Sequence, residues 1–274
     1  MKPSLAVLAA LAASASAAVL AAPAFASPPG ASAETAAAPD AVADWGLALA
    51  GNVLPEGKLH RLRHPMCLLV AAEDQTLAKA VARRVIDNAE QAGVAVKRGR
   101  CEPNTLIAFT DDAVGQLRDM RKFYLQFYGS HYLQQLDEMF KTETASFAFH
   151  EPMQLWMGPE VFQGQREVIG QPDVFGAAVV IERAAADGLD PVQLADFATL
   201  RLLAPTIDAG KLPQDAPQGA ATILTLFTDR DSAPQTMTEF DRAYLRSLYA
   251  MPRGSSAKAV MRRAARVAMA DSGE

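Results

Sequence analysis

Met66-Cys67-Leu68-Leu69-Val70-Ala71-Ala72, an apolar run held between His64-Pro65 and Glu73-Asp74, is the stretch on which the fold class turns. A short apolar run bounded by turn formers suits a buried strand. The period then changes. Leu77, Ala80, Val81, Arg84, Val85, Asn88 and Ala89 recur at helical spacing, with Lys79, Arg83, Asp87 and Glu90 on the other side. Asp74 or Thr76 caps this helix and Gly93 stops it. Val94 to Lys97 predicts a second strand and Leu106 to Phe109 a third, with a turn at Asn104. A β-α-β-β start packs a helix against a sheet, which implies an α+β or α/β domain rather than an all-helical one.

Further along, Asp111 or Asp112 caps a helix that runs, with an interruption near Gly129, to about Phe140. Phe123 and Phe127 are four apart, as are Tyr124 and Tyr128, and Tyr132 continues the second row. Ten of the nineteen aromatic residues fall between Phe123 and Phe162, so this segment is the strongest compositional anomaly after the N-terminus. A core stripe explains it most simply. A groove for a peptide, glycan or lipid is the sharper alternative, with Tyr124, Tyr128, Tyr132 and Trp156 as its partner surface. Phe175 to Glu182 predicts a further buried strand, and Asp190-Pro191 opens a helix to about Ala204. Pro205 to Gly219 reads as a long surface loop, and Ala220 to Phe227 is apolar without a decisive period. Thr238 caps Glu239 to Tyr249, Pro252 and Gly254 break the chain, and Ser255 or Ser256 caps a last helix to about Ala270. Leu245, Leu248 and Tyr249 are expected inside, and Arg262, Arg263 and Arg266 outside. With these C-terminal helices the expected class is α+β, a mixed sheet packed with helices.

At the N-terminus stand Lys2, an Ala/Leu-rich stretch from Leu5 to Ala22, and Ala24-Phe25-Ala26 before Ser27-Pro28-Pro29. That is the pattern of a bacterial export signal over residues 1–26, cut after Ala26. A retained membrane anchor is the rival reading; dilution of the run by Ala and Ser, with a well-formed cleavage site, favours cutting. The expected address is periplasmic or secreted. Residues 27–43, rich in Ala, Pro, Ser and Gly, predict a flexible tether, and residues 44–271 a single globular domain. The formal net charge is −5, without the basic excess that nucleic-acid binding requires. No later run matches the length of the first, so no transmembrane segment is expected after cleavage. Of the two cysteines, Cys67 opens an apolar strand and Cys101 precedes another, so pairing of adjacent strands would bring them within bridging distance, and one disulfide is expected. Closing a loop of 34 positions is worth about 3 kcal/mol in the chain-entropy account.

Chemistry is harder to find. His60 and His64 form H-x-x-x-H, a spacing that holds zinc on a helix, but Lys58, Arg61, Arg63 and Pro65 make a solvated basic approach to the first strand the better reading. His150-Glu151 opens HEPMQ, close to the metallopeptidase HExxH, yet Pro152 breaks the continuous helix that motif needs. His131 reads as a helix-start residue beside Ser130. No nucleophile elbow and no phosphate loop appear, and no cofactor or metal is expected.

Thr238-Glu239-Phe240-Asp241-Arg242-Ala243-Tyr244-Leu245-Arg246-Ser247-Leu248-Tyr249, followed by Pro252 and Gly254, resembles the end of an uncharacterised family of secreted bacterial proteins, a domain of unknown function with a zincin-like fold. Asn104 to Phe109, Ala178 to Ile181 and Leu194 to Ala204 follow the family in matching order. The resemblance covers roughly Cys67 to the end and implies a zincin-like domain. It also implies that the helix from Leu194 stands where the family's site lies. There the family carries paired glutamates and then Gln or His, whereas this chain has Ala195, Asp196 and Thr199. Those side chains do not make a zinc site. The expectation is therefore a non-catalytic binding or cell-envelope accessory module, whose partner is an envelope protein, a peptide or a glycan. A divergent periplasmic hydrolase acting on peptide or peptidoglycan through His150, Glu151 and Asp196 is the alternative. A lipid-handling protein with a cavity lined by the aromatic segment comes third.

Overall fold

The apolar run becomes a strand, and its neighbours define the sheet. The computed structural model describes residues 38–51, 57–119, 137–141, 145–152, 173–213 and 215–271. The export signal, most of the expected tether, and Tyr124, Tyr128, Tyr132, Trp156 and His131 lie outside these residues. Strands β1 (Arg61–Leu62), β2 (Leu68–Ala71), β3 (Thr105–Thr110), β4 (Ser146–Pro152) and β5 (Asp173–Glu182) form one mixed sheet. Its order is β1-β5-β3-β2, with β4 also paired to β5. Every pairing is parallel except β4 with β5. Ala177 faces both Thr105 and His150, and Val174 faces both Leu62 and Pro152. A strand residue has one partner on each side, so β1 and β3 share one edge of β5 and β4 takes the other. β5 is thus central, which explains its nearly unbroken apolar sequence.

Alternation divides the sheet's two faces. Ile107, Phe109, Val179 and Ile181 join the main core, whereas Phe147 and Val180 meet Ala113 and Leu117 in a smaller cluster beyond the opposite face. On that second face Phe140 packs edge-on against Phe147, with ring centroids 5.5 Å apart. These two members of the aromatic segment belong to the core stripe. β2 differs from the expected buried strand. It lies at the sheet edge, and Leu69 is 48% exposed.

Among the described residues five longer helices contribute to the main core beside the sheet: α1 (Pro39–Ala50), α2 (Gln75–Gln91), α3 (Pro191–Leu203), α4 (Glu239–Ala250) and α5 (Ala257–Asp271). The caps follow the sequence closely. Asp74 accepts from the Thr76 and Leu77 amides, Asp190 from Val192, and Ser256 from Ala259. Thr238 and Asp241 form a reciprocal capping box. Gly93, at φ 84°, closes α2 in the left-handed region open to glycine.

Three elements depart from expectation. α1 begins at Pro39, inside the segment read as tether, and Val42 and Ala43 are buried. Trp45 and Leu49 supply the apolar face that draws this alanine-rich turn into a helix. Val94 to Lys97 contributes only an isolated bridge, Val96 to Met66, because Ala95 and Lys97 face solvent and give a strand little to pack. The undecided segment near Phe227 forms a 3-10 helix over Ile223–Phe227.

Cys67 and Cys101 are bridged, with Cα atoms 6.2 Å apart. The bridge lies at the start of the β2/β3 pair, whose register begins Leu68 to Thr105. Asn104 reinforces it: its Oδ1 accepts from the Cys67 amide at 2.8 Å and its Nδ2 donates to the Pro65 carbonyl at 3.2 Å. The expected turn residue is therefore also a clamp between strand ends.

Candidate functional site

α3 carries Ala195, Asp196 and Thr199, and its packing accounts for all three. Asp190 caps the helix and Pro191 occupies its first turn. Ala195, Asp196 and Thr199 are fully buried. Both oxygens of Asp196 are engaged. Oδ1 accepts from Arg84 Nε at 2.7 Å and Asn88 Nδ2 at 2.7 Å; Oδ2 accepts from Arg84 Nη2 at 2.9 Å and the Met237 amide at 2.8 Å. Thr199 donates back to the Ala195 carbonyl and accepts from Asn88. The hydrogen bonds that Arg84 donates to Asp196 raise its guanidinium above the ordinary value. Arg84 and Asn88, read from the helical pattern as ordinary members of α2, are the partners that bind α2 to α3.

His60 and His150, ninety residues apart in the chain, stack with centroids 4.6 Å apart and planes 52° off parallel. The solvated approach expected for His60 is not what forms. Its Nε2 is buried with no hydrogen-bond partner among the described residues, while His64 is exposed on the far side of β1. His150 Nε2 lies 3.2 Å from the Leu202 carbonyl, which can only accept, so that nitrogen carries the proton. Burial holds His60 down at about 4. Burial first, then the charges of His60 and Arg201, hold His150 well below the ordinary histidine value. Both rings are neutral near pH 7. Glu151 follows on β4, opposite Gly176; its side chain lies outside the described part. Among the described residues no three His, Cys, Asp or Glu side chains converge as a metal-holding group.

An exposed concavity lies elsewhere among the described residues. α5 turns Val260, Met261, Ala264, Ala265 and Ala268 inward and leaves Lys258, Arg262, Arg263 and Arg266 in solvent. These four cations, with Met251, Ser256 and Ala259, line a groove of about 380 Å³. Arg262 lies 3.7 Å from Asp40 of α1. Lys258, Arg263 and Arg266 have no ion-pair partner among the described residues.

Compared with known protein families, curated proteins and solved structures, the chain matches none. Lys258 and its three arginines fall at i, i+4, i+5 and i+8, a pattern legible in the sequence. The acidic overall charge draws attention away from it. The arginines alone read as an ordinary wet face, and the concavity needs Met251 and Ser256 from the preceding turn.

Proposed function

We propose that this protein is an exported module of the bacterial cell envelope that acts by binding rather than by catalysis, on a zincin-like scaffold whose metal site is absent. The observation that carries this reading is the state of Asp196. All four of its contacts come from Arg84, Asn88 and the Met237 amide, in a buried setting. A carboxylate so held joins helices; to serve as a base or ligand it would have to leave a charged partner behind, at a cost of several kcal/mol. The order of the pieces supports the scaffold reading: β3, β5, α3, α4 and α5 stand in the sequence where the resemblance expects them. The disulfide, placed at the ends of paired strands, suits an oxidising compartment. No helix among the described residues is long and apolar enough to cross a membrane.

Fractionation and metal analysis test this together. The expected result is a chain starting at Ser27 outside the cytoplasm, no stoichiometric transition metal, and no cleavage of peptide or peptidoglycan. Stoichiometric metal that disappears on Asp196→Asn or His150→Gln, in variants still folded by circular dichroism, would overturn the reading.

A further inference from the structure

The basic groove on α5 has its own logic, independent of α3. Lys258, Arg262 and Arg266 repeat every four residues, and Arg263 widens the row. From Lys258 to Arg266 the row extends about 12 Å at about 1.5 Å per residue. In a chain of formal charge −5, three cations without acidic partners among the described residues are concentrated on one exposed face. Gathering like charges this way raises the energy of the free protein unless an anion answers them. The groove is shallow and runs along the helix, so it suits an extended array of negative charge better than one small enclosed anion.

The apolar side of α5 limits what that array can be. Val260, Met261, Ala264, Ala265 and Ala268 are buried in the core, so this helix has no free apolar face with which to enter a bilayer. Contact must be electrostatic and superficial. The location points the same way. α1, the first helix of the domain, reaches α5 through Asp40 and Arg262, so the chain enters the fold beside this face.

We infer that the groove formed by Lys258, Arg262, Arg263 and Arg266 is a docking surface for the anionic phospholipid headgroups of a bilayer. The inference rests on the envelope reading, which it deepens by naming what is bound. Two features favour lipid over nucleic acid: the export pattern at the N-terminus and the confinement of the charge to one helix face.

Cosedimentation of the mature chain, beginning at Ser27, with vesicles provides the test. Phosphatidylglycerol is mixed into phosphatidylcholine at increasing fractions. Binding is expected to rise with the anionic fraction. It should weaken at least tenfold between about 0.1 and about 1 M salt, where the screening length falls from about 10 to about 3 Å. The triple variant K258Q/R263Q/R266Q should lose about fivefold per charge removed, hence roughly a hundredfold. The control K79Q/R83Q/K97Q, which neutralises exposed cations elsewhere, should change binding less than about threefold. Equal binding to pure phosphatidylcholine, or a triple variant that behaves as the control does, overturns the inference. So does tighter binding to a double-stranded DNA fragment at the same salt. Hydrolysis of peptide or peptidoglycan would instead overturn the non-catalytic reading, leaving the vesicle result to stand or fall separately.

Discussion

Asp196 joins three segments far apart in the chain: α2 through Arg84 and Asn88, its own helix, and the loop at Met237. Other buried polar residues work in the same way. Arg61 donates to the Leu248 and Met251 carbonyls at the end of α4, and Asp173 pairs with Arg63 and Arg253. Arg201, buried beneath the loop after α3, donates to Thr206 and to the Ile207 carbonyl. Such groups stabilise only as complete sets, because removing one partner leaves another desolvated and unmatched. Asp196→Ala is therefore expected to cost about 3–5 kcal/mol, since it strands the Arg84 guanidinium, Asn88 and an amide. Urea unfolding would show it as a lower midpoint at unchanged slope. Arg84→Ala should be non-additive with it, with a coupling of about 1 kcal/mol or more. Full additivity would deny the clamp.

At the scale of elements, the start of the β2/β3 pair combines covalent and polar restraint. The disulfide fixes Cys67 to Cys101, Asn104 bonds to both Cys67 and Pro65, and Thr105 Oγ1 donates to the Cys67 carbonyl. Removing the bridge in Cys67→Ser/Cys101→Ser is expected to cost about 3 kcal/mol, for a closed loop of this length. In a chain of this size that lowers the Tm by roughly 6–12 °C in a calorimetric scan. An unchanged Tm would show that the polar clamp alone holds the strand ends. At the far end of the domain, Gly51 closes α1 at φ 61°, where a methyl group would fall on Ile207. The Leu49 carbonyl accepts from the Ile207 amide at 2.8 Å, so α1 is fastened to the segment after α3.

For the whole molecule, the buried histidines His60 and His150 and the buried carboxylate Asp241 give opposite pH dependences. His60 is held at about 4 in the folded state against an ordinary 6.5. Between those values the unfolded chain binds more protons, so the stability gained by keeping His60 neutral is complete above 6.5 and is lost as pH falls toward 4. Protonation there also sets a charge against His150. Asp241 is raised to about 6 by burial, which outweighs the bonds from Thr222, Ile223 and Thr238. Its contribution is complete below the ordinary 3.8 and is lost as pH rises through 6. Because the windows overlap, the wild-type curve is their sum, and a variant separates them. His60→Gln should lose about 2 kcal/mol less than wild type between about pH 7 and about pH 4.5. Denaturant melts at the two pH values provide the comparison, and parallel losses would refute the assignment.

Local signals determine much of this protein by themselves. The strand at Leu68, the caps at Asp74, Asp190 and Thr238 and the stop at Gly93 each depend on neighbours in the chain or on alternation along one element. Those interactions act over a few residues, and so they are written in the sequence. Only the tertiary structure decided what the polar residues do. Asp196 becomes a clamp because Arg84 and Met237 arrive from elsewhere, and His60 leaves solvent because β4 brings His150 against it. The cations of α5 line a groove because Met251 and Ser256 complete its wall. Burial and charge are properties of what surrounds a residue in space, and no local period specifies that.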